Sequence, residues 1–325
     1  MPVVIERSPG ERDLVCGGFL GWDAIAALRK IGLDPAHLGA VAIGRLRLVS
    51  GRRTVEADLP ETAMGLSRRR LDAALLNMAE AAGATVLRGR TARALEGDCV
   101  RLDDGSEMAA EALFLATGKH ELRGIARATG SRPLSVGLRA AIPAPPGLKG
   151  VVELHLYNGG YAGLLVQEDG SANLCLSVAQ GRLAGGRHAF LAELMKEAPL
   201  LAERLDGRLP GRWESVAGVP YGWRALETAS GLFRIGDQAA VIASLAGDGI
   251  AVALASGAAA AHACLHDDDG AAAYQQAFAA RAKRPVAIAE RLRHMAEAPV
   301  RRRLMLGMAG MPGLAKLAAR MTRIG

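Results

Sequence analysis

The sequence has few aromatic residues, only 4% Phe, Trp and Tyr among 325 residues. That scarcity argues against the stacking platforms on which single-stranded nucleic acids are held. Cysteine is sparse too: Cys16, Cys99, Cys175 and Cys264 are far apart and form no CxxC pair. The pattern excludes a zinc ribbon or a disulfide framework and suits a reducing, cytoplasmic setting. The N-terminus turns polar at Glu6 and Arg7, so no secretory signal is expected. The most apolar stretch, Ile250 to Leu265, is Ala-rich, contains Ser256, Gly257 and His262, falls short of a bilayer span and reads as a buried helix.

What is present is half apolar residues and a net charge of +7. The chain is long enough for about two domains with a sizeable core. Its arginines are scattered, which fits a solvated surface and gives no sign of a nucleic-acid partner.

A strand, Val3 to Ile5, opens the chain, and a helix is predicted over Trp22 to Ile31. Leu46 to Leu59 alternates as a hairpin around Gly51, and Ser67 caps an amphipathic helix with Leu71, Leu75, Met78 and Ala82 on one face. A strand at Thr85 to Leu87 and a hairpin turning at Asp104-Gly105 follow. The continuous apolar run Ala112 to Gly118 predicts a buried parallel strand. From Arg132 four strands separated by short turns predict a mostly antiparallel sheet, then a helix over His188 to Arg204 and a strand containing Val219 to Trp223. Leu232 to Gly257 returns to α/β texture, and basic, apolar helices run from Ala271 to the end.

The chemistry concentrates in Gly231 to Asp237 and Gly247-Asp248-Gly249-Ile250. A short apolar strand ending in Gly236-Asp237 places a carboxylate at a strand's C-terminal edge, where α/β proteins bind ligands. There it can accept a ribityl or ribose hydroxyl. Gly247 and Gly249 permit close backbone approach, and the next helix offers free N–H groups to negative charge. A flavin asks for both features. The alternative reading is a glycine-rich strand-to-helix turn with no ligand.

These residues resemble the FAD-dependent oxidoreductases of the geranylgeranyl reductase type, within the group that includes aromatic hydroxylases and flavin halogenases. The resemblance runs nearly end to end. Val4-Ile5-Glu6-Arg7 looks like the family's second strand, whose Glu takes the adenosine ribose. Cys16-Gly17-Gly18 looks like the turn towards the isoalloxazine, and Arg68 to Leu75 like the helix carrying an FAD-contacting Arg. Ala116-Thr117-Gly118 looks like the strand end near the adenine, and Gly236-Asp237 is the most specific mark. The resemblance implies a Rossmann-like FAD-binding domain (1–36, 60–122, 226–283), N-terminally incomplete. Into it is inserted a mostly antiparallel β-sheet substrate domain (37–59, 123–225), and a helical segment (284–325) closes the chain. It also implies FAD as cofactor, NAD(P)H as electron donor and a small hydrophobic substrate.

Two departures stand out. The family's first strand and GxGxxG turn have no counterpart upstream of Glu6, and the expectation is a truncated chain. Ala243-Ser244 stands where the family often has Pro. No Trp-x-Trp-x-x-Pro segment of the halogenases occurs, and Gly249-Ile250-Ala251 differs from the hydroxylases' GxN. The leading expectation is therefore reduction of a C=C bond; hydroxylation of a small aromatic, or a remnant that binds FAD poorly, are the alternatives. Cys16, Tyr161 and Tyr221 are the candidate proton donors. The C-terminal basic helices either pack on the FAD domain or make peripheral membrane contact.

Overall fold

A computed structural model describes residues 1–266 and 270–324. Its centre is an eight-stranded sheet in the order β14-β10-β13-β12-β11-β3-β4-β2. The strands are β2 (Phe19–Leu20), β3 (Val41–Ser50), β4 (Arg53–Gly65), β10 (Ser135–Pro143), β11 (Val151–Tyr157), β12 (Gly160–Val166), β13 (Ser171–Ala179) and β14 (Glu214–Val219). All neighbours run antiparallel except β3 and β11, which are parallel.

Alternation sorts the two faces of this sheet. Leu138, Leu164, Leu174, Leu176 and Val178 point to one side and bury against Phe190, Leu191, Leu194 and Leu201. Those four come from α3 (Gly186–Glu197) and α4 (Pro199–Arg204). Each such side chain contributes about 1.5–3 kcal/mol by leaving water. The opposite face is smaller and more polar, since Gly137 and Tyr161 flank Ser177 while Arg139 and Gly163 flank Cys175. That face looks toward the N-terminal segment, where the Asn173 amide donates to the Cys16 carbonyl at 2.9 Å.

Two small parallel sheets carry the α/β part. One pairs β1 (Val3–Glu6) with β5 (Thr85–Arg88), the other β9 (Leu113–Leu115) with β15 (Leu232–Arg234). A three-stranded ribbon, β6 (Ala92–Glu96), β7 (Cys99–Leu102) and β8 (Glu107–Ala109), lies between β5 and β9 in the chain. The other helices are α1 (Trp22–Lys30), α2 (Arg68–Ala81), α5 (Gly249–His266), α6 (Gly270–Glu297), α7 (Pro299–Ala309) and α8 (Leu314–Met321), the last two packing on the large sheet. α1, α5 and α6 share one core with the 239–243 segment, built from Leu28, Val241, Val252, Ala260, Phe278 and Val286.

Several expectations are corrected. The run from Ala112 to Gly118 forms only three residues of strand, and Phe114 is 38% exposed, because β9 has a strand on one side only among the described residues. The helix expected over 188–204 is broken at Pro199, which opens α4 where no N–H is needed. Val219 ends its strand, and Pro220 to Trp223 is a turn closed by Trp223 N–H donating to the Pro220 carbonyl at 3.1 Å. Of the apolar face expected on α2, only Leu71 is fully buried. α5 is the single helix among the described residues long and apolar enough to cross a membrane, and it packs against α1 and α6.

Candidate active site at the C-terminal edge of the parallel strands

Parallel pairing brings the ends of β9 and β15 side by side. Beyond β9, Gly118 takes a left-handed φ of 60°, and beyond β15, Gly236 takes 59°. Only glycine adopts these values without strain. The two turns are clamped together. The buried Arg127 guanidinium donates to the carbonyls of Lys119 (2.8 Å) and Asp237 (3.0 Å), and its other side donates to Glu121 at 2.6 Å. The Gln238 amide donates to the Gly118 and His120 carbonyls at 3.0 and 2.9 Å. Gly236 N–H donates to the Ser256 hydroxyl at 2.8 Å, which fixes the same turn against α5.

Asp237 is thereby held at the edge with its side chain 19% exposed, paired with Lys119 Nζ at 3.1 Å. The Asp237 charge raises the Lys119 pKa against the pull of burial, with the nearby Tyr221 and Cys16 adding to it. Lys119 therefore stays cationic, and the second Asp237 oxygen remains open to a hydroxyl.

The second half of the site is the loop before α5. Gly247 has φ 69°, and a Cβ there would stand 2.7 Å from the Phe19 ring. Asp248 precedes the helix, where a carboxylate ordinarily caps the first N–H groups. Here both its oxygens face inward instead: Arg323 donates to Oδ1 at 2.7 Å and Ile324 N–H to Oδ2 at 3.0 Å. Burial pushes its pKa up to about 7 against the pull of Arg323, and the neighbouring Asp23 adds to the rise. Asp248 thus serves the site through its backbone. The first N–H groups of α5, from Gly249 and Ile250, lack intrahelical acceptors and stay available. A Cβ at Gly249 would meet nothing within 4 Å.

The Cys16-Gly17-Gly18 turn closes a third side. Gly18 has φ 68°, and a Cβ there would stand 2.9 Å from the Gln167 amide and 3.0 Å from the Leu66 carbonyl. Gly17 again faces open space. Cys16 lies beside Arg68, whose guanidinium makes two 2.8 Å bonds to Asp72. Burial pulls the Arg68 pKa down, but the Asp72 charge and then the Cys16 neighbour outweigh it and raise it. Arg69 looks elsewhere, toward Asp169 at 3.5 Å. Across the gap, burial pushes the Cys175 thiol up to about 12, with Cys16 reinforcing the shift.

The remaining sequence candidates take separate positions. Glu6 folds back to accept Ser8 N–H at 2.6 Å, and Arg7 reaches His120 across the strand ends at 3.2 Å. Burial, then Arg7, Arg12, Lys119 and Arg127, lowers the His120 pKa, which marks a concentration of positive charge there. Thr117 closes its own turn by donating to the His120 carbonyl at 2.8 Å. Tyr221 shares a 2.6 Å bond with Ser244 in the flexure before Gly247. Tyr161 packs among Leu48, Leu156, Ala296 and Leu306, and its buried hydroxyl and that of Ser177 have no hydrogen-bond partner among the described residues. Lys119, Arg127, Gln238, Ser256 and Arg323 were missed by sequence reasoning. Lys119 adjoins the Thr117-Gly118 mark and was findable; Arg323 carries no local signal.

A cleft of about 970 Å³ lies between Asp13, Ile142, Pro145, Leu205 and Arg208. Arg139, one of its lining residues, reaches toward the Cys16-Gly18 turn through bonds to Asn173 at 2.8 Å and Gln167 at 3.4 Å.

No protein-family model and no curated protein sequence matches the chain. Its fold, however, matches solved structures over most of their length. Pseudomonas aeruginosa PqsL in complex with 2-aminobenzoylacetate is 19% identical, with a TM-score of 0.71 over 92% of this chain and 90% of that one. The flavin-dependent brominase Bmp2 is 16% identical, with a TM-score of 0.75 over 98% and 86%. A geranylgeranyl bacteriochlorophyll reductase-like protein from Thermoplasma acidophilum is 17% identical, with a TM-score of 0.66 over 98% and 85%. The likeness is one of fold: this chain has the mixed α/β architecture shared by these monooxygenase, halogenase and reductase-like proteins.

Proposed function

We propose that the protein is an FAD-dependent oxidoreductase acting on a small hydrophobic substrate. The observation that carries the reading is Asp237, whose partly exposed carboxylate stands at the C-terminal edge on a turn fixed against α5. The residues fit the ribityl and isoalloxazine half of FAD. Asp237 would accept a ribityl hydroxyl. The first N–H groups of α5 would face the flavin's pyrimidine edge, and Gly17 and Gly249 leave room for close approach. Arg7 and Arg12 put positive charge on the diphosphate side, around His120, and Glu6 keeps one oxygen for a ribose.

Bound FAD would supply two-electron redox chemistry, taken from NAD(P)H. The chain's own residues orient the substrate and manage protons. Face residues Gly163, Cys175 and Ser177 offer a small, partly polar floor for an apolar ligand. Cys175, with its thiol pushed up to about 12, stays protonated at neutral pH. Cys16 and the Tyr221–Ser244 pair stand nearest the flavin turns and are the proton donors of this reading. We favour reduction of a C=C bond on the Cys16-Gly17-Gly18 turn and the absence of a halogenase Trp-x-Trp segment. Hydroxylation of an aromatic is the second reading, favoured by the fold likeness to PqsL. NAD(P)H oxidation by the FAD-loaded protein separates them: reduction proceeds without oxygen when substrate is present, whereas hydroxylation stops.

A further inference from the structure

The last two helices break the pattern of the rest of the surface. From Ala298 to Gly325 the chain has no Asp or Glu, but it has Arg301, Arg302, Arg303, Lys316, Arg320 and Arg323. The same stretch leaves Val300 82%, Leu304 61% and Leu317 52% exposed, together with Met311 and Leu314. Isolated exposed apolar side chains are ordinary, but these recur at helical spacing. On α7, Val300 and Leu304 stand one turn apart, with Arg303 on one side of the stripe and Arg301 on the other. On α8, Leu314, Leu317 and Met321 share a face with Arg320 beside it. A tight turn that exposes Met311 joins the two.

The core does not need these side chains. α7 is anchored by its other face, through Met305 and Leu306 against Leu48 and Leu156, and by buried Arg302 donating to Asn158 at 3.0 Å. α8 packs on β4, and its end is tied down by Arg323. The outward stripe is therefore a rigid, preformed surface. Arg301, Arg303 and Arg320 have no acidic partner within salt-bridge distance among the described residues, and Lys316 reaches only Asp58 at 3.7 Å.

We propose that the outer face of α7 and α8 docks on an anionic lipid bilayer. An apolar stripe flanked by arginines suits the interface, where the side chains enter the acyl boundary and the guanidinium groups remain among phosphates. The two helices themselves carry no carboxylate to repel a negative leaflet, the neighbouring Asp58 being paired with Lys316. The proposal is independent of the flavin reading. Docking of one face without lipidation is reversible and salt-sensitive.

Co-sedimentation of the full chain with phosphatidylcholine–phosphatidylserine vesicles tests it, against phosphatidylcholine vesicles alone and at raised salt. Binding is expected to the mixed vesicles at low salt and to be weak on neutral ones. It should fall by about tenfold or more in Arg301→Glu/Arg303→Glu and in Leu304→Asn/Leu317→Asn. These positions are exposed, so unchanged thermal unfolding shows that the variants remain folded. No binding at low salt, or undiminished binding by both variants, overturns the proposal. So does a dimer in sedimentation velocity that Leu304→Asn dissociates, since a second copy would then be the occupant.

Discussion

Arg127 shows how one side chain holds the site's geometry. It is buried, donates to the carbonyls of Lys119 and Asp237, and stands over the Trp223 ring at 5.7 Å. Arg127→Ala leaves those carbonyls without a donor and Glu121 without its partner. The expected loss is about 2–4 kcal/mol in denaturant unfolding, with Arg127→Lys recovering part of it, since one ammonium cannot span the fork. Cys16 is tested separately. Cys16→Ser should retain cofactor binding while turnover drops; full turnover would remove Cys16 as proton donor. Asp237 and the glycines were legible because backbone freedom and a carboxylate at a strand end are local properties. Arg127 was not, since its partners lie 8 and 110 residues away.

Glu153 on β11 joins elements of the sheet's other side. Its buried carboxylate accepts from Arg47 on β3 at 2.6 Å and from Arg204 on α4 at 2.8 Å, with His155 at 2.7 Å. Burial alone would raise its pKa, but the bonds from His155 and the two arginines outweigh it and hold it far below the usual carboxylate range. The folded value is depressed, so this stabilisation is present above the unfolded value of about 4.5 and is lost as pH falls below it. Glu153→Gln should cost about 3–5 kcal/mol at neutral pH and flatten the acid limb of a urea-unfolding series. A second element-level contact is the strap from Arg323 to Asp248. Arg323 also donates to the Ala246 carbonyl at 2.8 Å and lies over the Trp22 ring at 4.5 Å. Arg323→Ala should speed amide exchange in the 244–252 loop without unfolding the sheet. Period and capping made α1, α2 and the hairpins readable, with Ser67 accepting from Arg70 N–H at 3.2 Å as its cap role requires. The break at Pro199 was readable in principle, but the apolar periodicity on both sides masked it.

Over the whole molecule, the sequence texture separated α/β from antiparallel segments correctly, because parallel strands and alternating strands look different. Texture did not say which strands would pair. The parallel contact of β3 with β11 is set about 100 residues apart, and β4 reaches through Gly65 to hold β2 in the same sheet. Gly65 allows this by lying against Val166, whose carbonyl would stand 2.3 Å from a Cβ. Texture marked the C-terminal helices as basic and apolar but expected any packing to be on the FAD domain, whereas they bury one face on this sheet. What ties fold to proposed chemistry is the meeting of three distant turns, at Cys16, Gly118 and Gly236, around Asp237 and the start of α5.

The most direct test is a titration of the purified protein with FAD, followed by flavin fluorescence and absorption, on wild type and Asp237→Asn side by side. Wild type should bind FAD, and the variant, folded by its thermal unfolding, should bind at least about tenfold more weakly through loss of a charged acceptor. Wild-type protein that takes up no FAD, or a variant that binds it equally well, would contradict the account.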